Sequence, residues 1–229
     1  MSVTVSMHCF LGDFICAEPS LREICKKHQD EEIVVQAPFK EFLCDYPFTL
    51  SFAQLSAPPR YRLICNGNGH LVHQVARMNN LHLECDIPRL PIQTIPHLNE
   101  PYFLICAEAS TPDRHWQMEK WEELIEKLDA PVYQIGKWNK VVLNNAKTDF
   151  LGKKLDPSML ASLIKFSKAF ITVDSGLSHL SAAIQKPYVV LMDKIPSAWR
   201  MHQGLTRAIN KNDIKKITVD EVLDTSQLG

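Results

Sequence analysis

At 229 residues, the chain is long enough to bury a sizeable core in one large or two small domains. Its 45% hydrophobic and 22% charged residues are those of an ordinary globular protein, and a formal net charge of −1 gives no electrostatic case for nucleic-acid or membrane-surface binding. No apolar run approaches the roughly 20 residues of a membrane span, and no basic stretch followed by an apolar one opens the chain, so a cytoplasmic protein without a membrane span is expected.

The pattern predicts a first strand over Val3 to Phe10, with Leu11-Gly12-Asp13 as the turn after it. A helix follows from about Pro19 to His28, since proline suits a first turn and Leu21, Ile24 and Cys25 share one face. Glu32 to Ala37 reads as the second strand and Phe39 to Leu43 as a short helix, while the pattern up to Ser56 is ambiguous. Tyr61 to Cys65 reads as a strand, Asn66 to Gly69 as a turn, and His70 to Met78 as a helix. His70 and His73 stand at i, i+3, which suits a metal pair as well as solvent-facing or capping roles. The seven cysteines form no CxxC pair and read as buried small hydrophobes in a reducing compartment.

Asp86 to Pro101 carries Pro88, Pro91, Pro96 and Pro101, a density that resists both helix and central strand. We place a linker at 91–101, between an N-terminal α/β domain at 1–90 and a C-terminal one at 102–229. Beyond it, strands are predicted at Tyr102 to Cys106, Val132 to Ile135, Phe170 to Val173, Tyr188 to Leu191 and Arg207 to Ile209. Helices are predicted from Trp116 to Leu128, from Asp156-Pro157 to Ser167, from Leu177 to Lys186-Pro187, and from Val219 to Leu223. Such alternation predicts two doubly wound halves with a cleft at the carboxyl ends of their strands.

Three turns would face that cleft. Asp174-Ser175-Gly176 precedes a helix whose N–H groups and dipole suit an anion such as a diphosphate, and His179 lies one turn further on. Ordinary capping explains the same residues. In Ala107 to Trp116 (AEASTPDRHW), Ser110, Thr111 and Arg114 suit a phosphate, or a capping loop with a solvated arginine. Gly12-Asp13 offers a carboxylate as general base, or as a cap. Gly136-Lys137 closes a strand between them and could line a nucleotide pocket. The chain has no GxGxxG, Walker, HExxH or GxSxG motif.

The segments CFLGDFICAEPSLREICKKHQDEEIVV, AEASTPDRHWQMEKWEELIEKL and TDFLGKKLDPSMLASLIKFSKAFITVDSGLSHLSAAIQKPYVVL resemble the bacterial heptosyltransferases, glycosyltransferase family 9. The match covers most of 1–45 and 102–195; Asp-Ser-Gly-x-x-His-Leu is its most specific part. The resemblance implies a GT-B architecture and inverting, metal-independent transfer from a nucleotide-diphosphate sugar, with ADP-heptose the expected donor and a lipopolysaccharide-core hydroxyl the acceptor. No cofactor is implied. By position Asp13 is similar to the family's base, Ser110 and Arg114 to its phosphate-binding residues, and Asp174, Ser175, Gly176 and His179 to its donor turn. A carboxylate repels phosphate, so Asp174 is expected to cap the helix or hold a hydroxyl. The chain departs from the family in a shortened N-terminal half and in Arg114, where many members have lysine. The short acceptor half leaves a second reading open, a nucleotide-sugar-binding regulator or partner subunit without transfer.

Overall fold

The computed structural model describes residues 2–7, 10–64, 70–193, 202 and 204–226. Its elements run β1 (Ser2–Met7), α1 (Leu11–Lys27), β2 (Glu32–Gln36), β3 (Leu50–Phe52), β4 (Tyr61–Leu63), α2 (Leu71–Met78), β5 (Phe103–Cys106), α3 (Met118–Lys127), β6 (Val132–Gly136), β7 (Lys147–Leu151), α4 (Pro157–Phe166), β8 (Phe170–Val173), α5 (Gly176–Ala183), β9 (Tyr188–Met192), β10 (Thr206–Asn210) and α6 (Val219–Ser226). Two wholly parallel sheets result, a four-stranded one ordered β3-β2-β1-β4 and a six-stranded one ordered β10-β9-β8-β5-β6-β7. This is the expected pair of doubly wound α/β halves, of GT-B type.

Burial separates the central strands from the edge strands. Every residue of β5, β8 and β9 is buried, as continuous apolar runs in the middle of a parallel sheet require. Phe103 and Ile105 pack with Trp121, Leu124, Ile171 and Val189 on one face of the larger sheet. Leu104 and Cys106 point to the other face, into a cluster that also holds Val3, Val5, Phe14 and Leu180. That cluster joins the two sheets. The edge strands β3 and β7 are partly or largely exposed; β3 is only three residues long, and β7 (KTDFL) is mostly polar, so each carries a weak signal.

Two expectations need correction near the N-terminus. Leu11-Gly12-Asp13 is the first turn of α1, and Pro19 lies inside that helix instead of at its start. Interior proline costs about 3 kcal/mol. Here Phe14, Ile15, Leu21 and Ile24 are all fully buried, each such side chain contributing about 1.5–3 kcal/mol, so tertiary packing outweighs the local break. The cysteines also divide: Cys16, Cys25 and Cys106 are buried as expected, but Cys85 is partly buried and Cys44 exposed. Cys9, Cys65 and the Asn66–Gly69 turn lie outside the described residues.

Residues 86–101 form neither helix nor strand, yet they are fastened on both sides. Arg89 N donates to Glu18 Oε2 (2.7 Å), Leu90 N to the Ala183 carbonyl (3.0 Å) and Ile95 N to Ser162 Oγ (3.0 Å). No described helix is long and apolar enough to cross a membrane.

Candidate functional site

The order of the larger sheet decides where a site can form. From β5 the chain winds outward through β6 and β7, then returns to place β8 on the other side of β5. The turns after β5 and β8 therefore flank the point where the winding reverses, the usual crevice for a ligand in such sheets.

The turn after β8 is short. Asp174 is almost fully buried, and Ser175 is the N-cap of α5 with extended backbone and no side-chain cap bond. The Ser175 hydroxyl pairs with Thr172 Oγ1 at 3.2 Å. Its carbonyl accepts from Ser178 Oγ (2.6 Å). At the other end Gln185 takes φ 59°, and the bonds Lys186 N to Ser181 O (2.9 Å) and Gln185 N to Ala182 O (2.9 Å) close α5 before Pro187.

The loop after β5 begins buried, comes out to solvent and turns back inward at Trp116. Ser110 and Thr111 stand at its exposed tip, before a single 3-10 turn over Pro112–Arg114. Ala109 N donates to His115 Nε2 (3.2 Å), closing the loop's base. A hydrogen bond from Thr111 holds the Asp113 carboxyl below its ordinary range. Arg114 Nη1 reaches Asp174 Oδ2 at 3.4 Å. The sheet order thus brings the expected phosphate loop and the expected donor turn together, and Asp174 holds the loop's cation.

Gly136-Lys137 reaches the same edge through a residue the sequence did not single out. Glu108 is 3% exposed and accepts from Trp138 N (2.9 Å), Lys140 N (2.6 Å) and Val141 N (3.4 Å), tying the loop after β6 to the loop after β5. A Cβ on Gly136 would lie 2.7 Å from Glu108 Oε2, so only glycine lets that carboxylate through. Lys137 is exposed, with its Nζ 5.6 Å from the Trp138 ring centroid.

Asp13 sits half-buried in the first turn of α1, and that turn is pressed on the start of α5. A Cβ on Gly12 would stand 2.9 Å from His179 Cδ2 and 3.4 Å from Gly176 Cα, and a Cβ on Gly176 would stand 3.1 Å from Gly12 N. The two glycines make this approach possible. His179 is 2% exposed; its Nδ1 lies 2.9 Å from His202 Nε2 and 3.3 Å from Cys16 Sγ. Burial, then the charge His179 and His70 would carry, push the His202 pKa down to about 2, so its ring is neutral. Among the described residues, Cys16, His179 and His202 form a group whose ligand atoms all lie within 4.8 Å of one another. The i, i+3 pair of the sequence behaves differently: the rings of His70 and His73 are 5.1 Å apart, His73 Nε2 meets Asp86 Oδ2 at 3.2 Å, and His70 stands edge-on to His202 at 6.3 Å. Neither Cys16 nor His202 is marked as a ligand by its sequence neighbours, so only folding reveals them.

Two parallel α/β units, with polar turns at the sheet's reversal point and an acid on the first turn of α1, make an α/β scaffold of the kind that holds ligands at strand ends. A family model for glycosyltransferase family 9 (heptosyltransferase) matches residues 73–213, and the chain belongs to that family. It is similar to lipopolysaccharide heptosyltransferase 1 of Salmonella typhimurium, 27% identical over 103 residues, covering 41% of this chain and 32% of the relative, about a third of that protein's length. Among solved structures, E. coli heptosyltransferase WaaC with ADP-2-deoxy-2-fluoro heptose superposes with a TM-score of 0.71 at 13% identity, over 99% of each chain. A family 9 glycosyl transferase from Veillonella parvula gives 0.76 at 12% identity, over 99% of this chain and 96% of that one. The iron-containing dodecameric heptosyltransferase TibC, in complex with ADP-D-β-D-heptose, gives 0.74 at 19% identity, over 90% of this chain and 62% of that one. These structural likenesses carry the fold.

Proposed function

We propose that the chain transfers a sugar from a nucleotide-diphosphate donor to an acceptor hydroxyl, with inversion and with no metal in the transfer step. ADP-heptose is the first donor to test, since ADP-heptose or its analogue is bound in two of the similar structures. A lipopolysaccharide-core hydroxyl on the cytoplasmic side is the first acceptor, after the Salmonella relative's name. The domain division at 1–90, 91–101 and 102–229 belongs to this reading, with the first unit facing the acceptor.

The observation that carries it is the Arg114–Asp174 pair at the sheet's reversal point, with the helix turn that bears Asp13 pressed on the start of α5. In this mechanism Asp13 takes the acceptor's proton as its oxygen forms the new bond to the anomeric carbon. The carbon–oxygen bond to the diphosphate breaks on the opposite face. Charge on the departing diphosphate falls to Arg114, the Ser110 and Thr111 hydroxyls, and the N–H groups opening α5 at Ser175 and Gly176. Asp174 orients Arg114 and keeps its own carboxylate off the phosphate. Gly136 and Lys137 border the nucleotide, and His179 positions α5 against α1.

A second reading, nucleotide-sugar binding without transfer, draws on the contact between Gly12 and Gly176, which holds the base-bearing turn hard against the donor turn. The test is a thermal-shift and calorimetric panel of ADP, UDP, GDP, CMP and dTDP with their sugars, followed by turnover assays. Selective stabilisation by one diphosphate, of about 2.7 kcal/mol at a hundredfold excess over Kd and weakened in Arg114→Ala, supports the donor site. Binding without any turnover selects the second reading. No binding at all removes both.

A further inference from the structure

We propose that Cys16 Sγ, His179 Nδ1 and His202 Nε2 form a site for a single borderline divalent cation of the zinc class, which clamps α1 to α5. The three atoms come from three separate parts of the chain: α1, α5 and the segment entering β10. All three residues are buried, and their ligand atoms converge within 4.8 Å. With Zn–S near 2.3 Å and Zn–N near 2.0–2.1 Å, tetrahedral ligands stand roughly 3.3–3.6 Å apart. The observed separations of 3.3 Å for Cys16–His179 and 2.9 Å for His179–His202 are close to those edges, and the third edge lies within 4.8 Å.

The alternative is a hydrogen-bonded trio, in which His179 Nδ1 is shared between two neighbours. A ring nitrogen has one in-plane direction, for either a proton or a lone pair. His179 Nδ1 has two partners competing for that direction, a thiol and a second ring nitrogen. A cation lets all three atoms turn their lone pairs to one point. Thiolate and imidazole select zinc-like ions over magnesium or calcium. On binding, the Cys16 thiol releases its proton to solvent and its sulfur pair forms the bond to the metal. His179 and His202 stay neutral, with their protons on Nε2 and Nδ1. Three protein ligands leave a fourth position for water or a further donor.

The clamp acts on the scaffold that the transferase reading uses, and its test reads metal binding and not turnover. It fixes the approach of Gly12 to Gly176 and takes no part in the proton or sugar transfer proposed above. Cobalt(II) is the probe, added to the full chain after chelator treatment, alongside elemental analysis of the protein as purified. The expected result is one cobalt per chain, with visible bands of a tetrahedral ion and a near-ultraviolet sulfur-to-metal charge-transfer band. Cys16→Ser should abolish the charge-transfer band. His202→Ala should keep that band while weakening affinity more than about 100-fold, and it carries the test if Cys16→Ser does not fold. Zinc should raise the thermal midpoint of the unmutated chain and not of the variants. Sub-stoichiometric cobalt, or spectra and affinity unchanged in the variants, would overturn the site.

Discussion

Arg114 and Asp174 meet at 3.4 Å, a guanidinium one-fifth exposed against a carboxylate almost wholly buried. They lie on turns that only the strand order brings side by side. Arg114→Ala leaves Asp174 without this cation, and a loss of about 1–3 kcal/mol is expected in urea unfolding. The same variant should lose most diphosphate-induced stabilisation. Arg114→Lys should retain part of each, because it keeps the charge and forfeits the planar fork.

Asp13 is placed to test base catalysis by itself, since it enters from α1 and not from the donor turns. Asp13→Asn should lower turnover by about 10²–10⁴-fold with donor Kd unchanged in calorimetry. A matching fall in donor affinity would instead make Asp13 part of the binding surface.

Glu108 holds three backbone N–H groups of the loop that follows β6. In Glu108→Ala those donors lose a buried acceptor, at about 1–3 kcal/mol for a group left unpaired. Hydrogen exchange should quicken at Trp138, Lys140 and Val141 while the amides of β5 stay protected. Equal acceleration throughout the larger sheet would show global unfolding instead of a local tether.

Glu18 gives the pH prediction. Its buried carboxylate accepts from Tyr46 Oη (2.7 Å) and Arg89 N (2.7 Å), with Arg22 Nη1 at 3.4 Å. Desolvation raises its pKa above the ordinary 4.5, against the opposing pull of Arg22 and the hydrogen bonds. A raised folded pKa means the native state binds more protons, so Glu18's contribution is complete below 4.5 and is lost as pH rises through the folded value. The carboxyls of Glu31, Glu84, Asp113, Asp129 and Glu221 are lowered and act in the opposite sense at lower pH. The measurement is therefore the difference in unfolding free energy between the unmutated chain and Glu18→Gln across pH. That difference should shift against the unmutated chain as pH rises above 4.5, and a flat one would remove Glu18 as the source.

Much of the architecture was readable because its signals are local. Phe170 to Val173 appears as a strand at both predicted ends, since three apolar residues and a β-branched threonine between a lysine-containing turn and Asp174 leave little else to form. Asp156 caps α4 as its position before Pro157 implies, accepting from Met159 N at 2.9 Å. The candidate turns were legible for the same reason, each being a few polar residues after an apolar run. The start of α1 was not, because Pro19 argues locally for a first turn while burial on several sides overrides it. The strand β7 stayed hidden because an exposed edge needs no apolar residues.

The sequence by itself determined the two parallel α/β units, the loops that carry Ser110, Arg114 and Asp174, and the position of Asp13 after the first strand. These follow from periodicity and turn chemistry within a few residues. Only the tertiary structure decided that Arg114 is held by Asp174, that Glu108 tethers the neighbouring loop, and that Gly12 lies against Gly176 with Cys16, His179 and His202 converging beside them. Those relationships depend on strand order and on helix-to-helix approach. Both arise from packing between residues far apart in the chain, which no local window records.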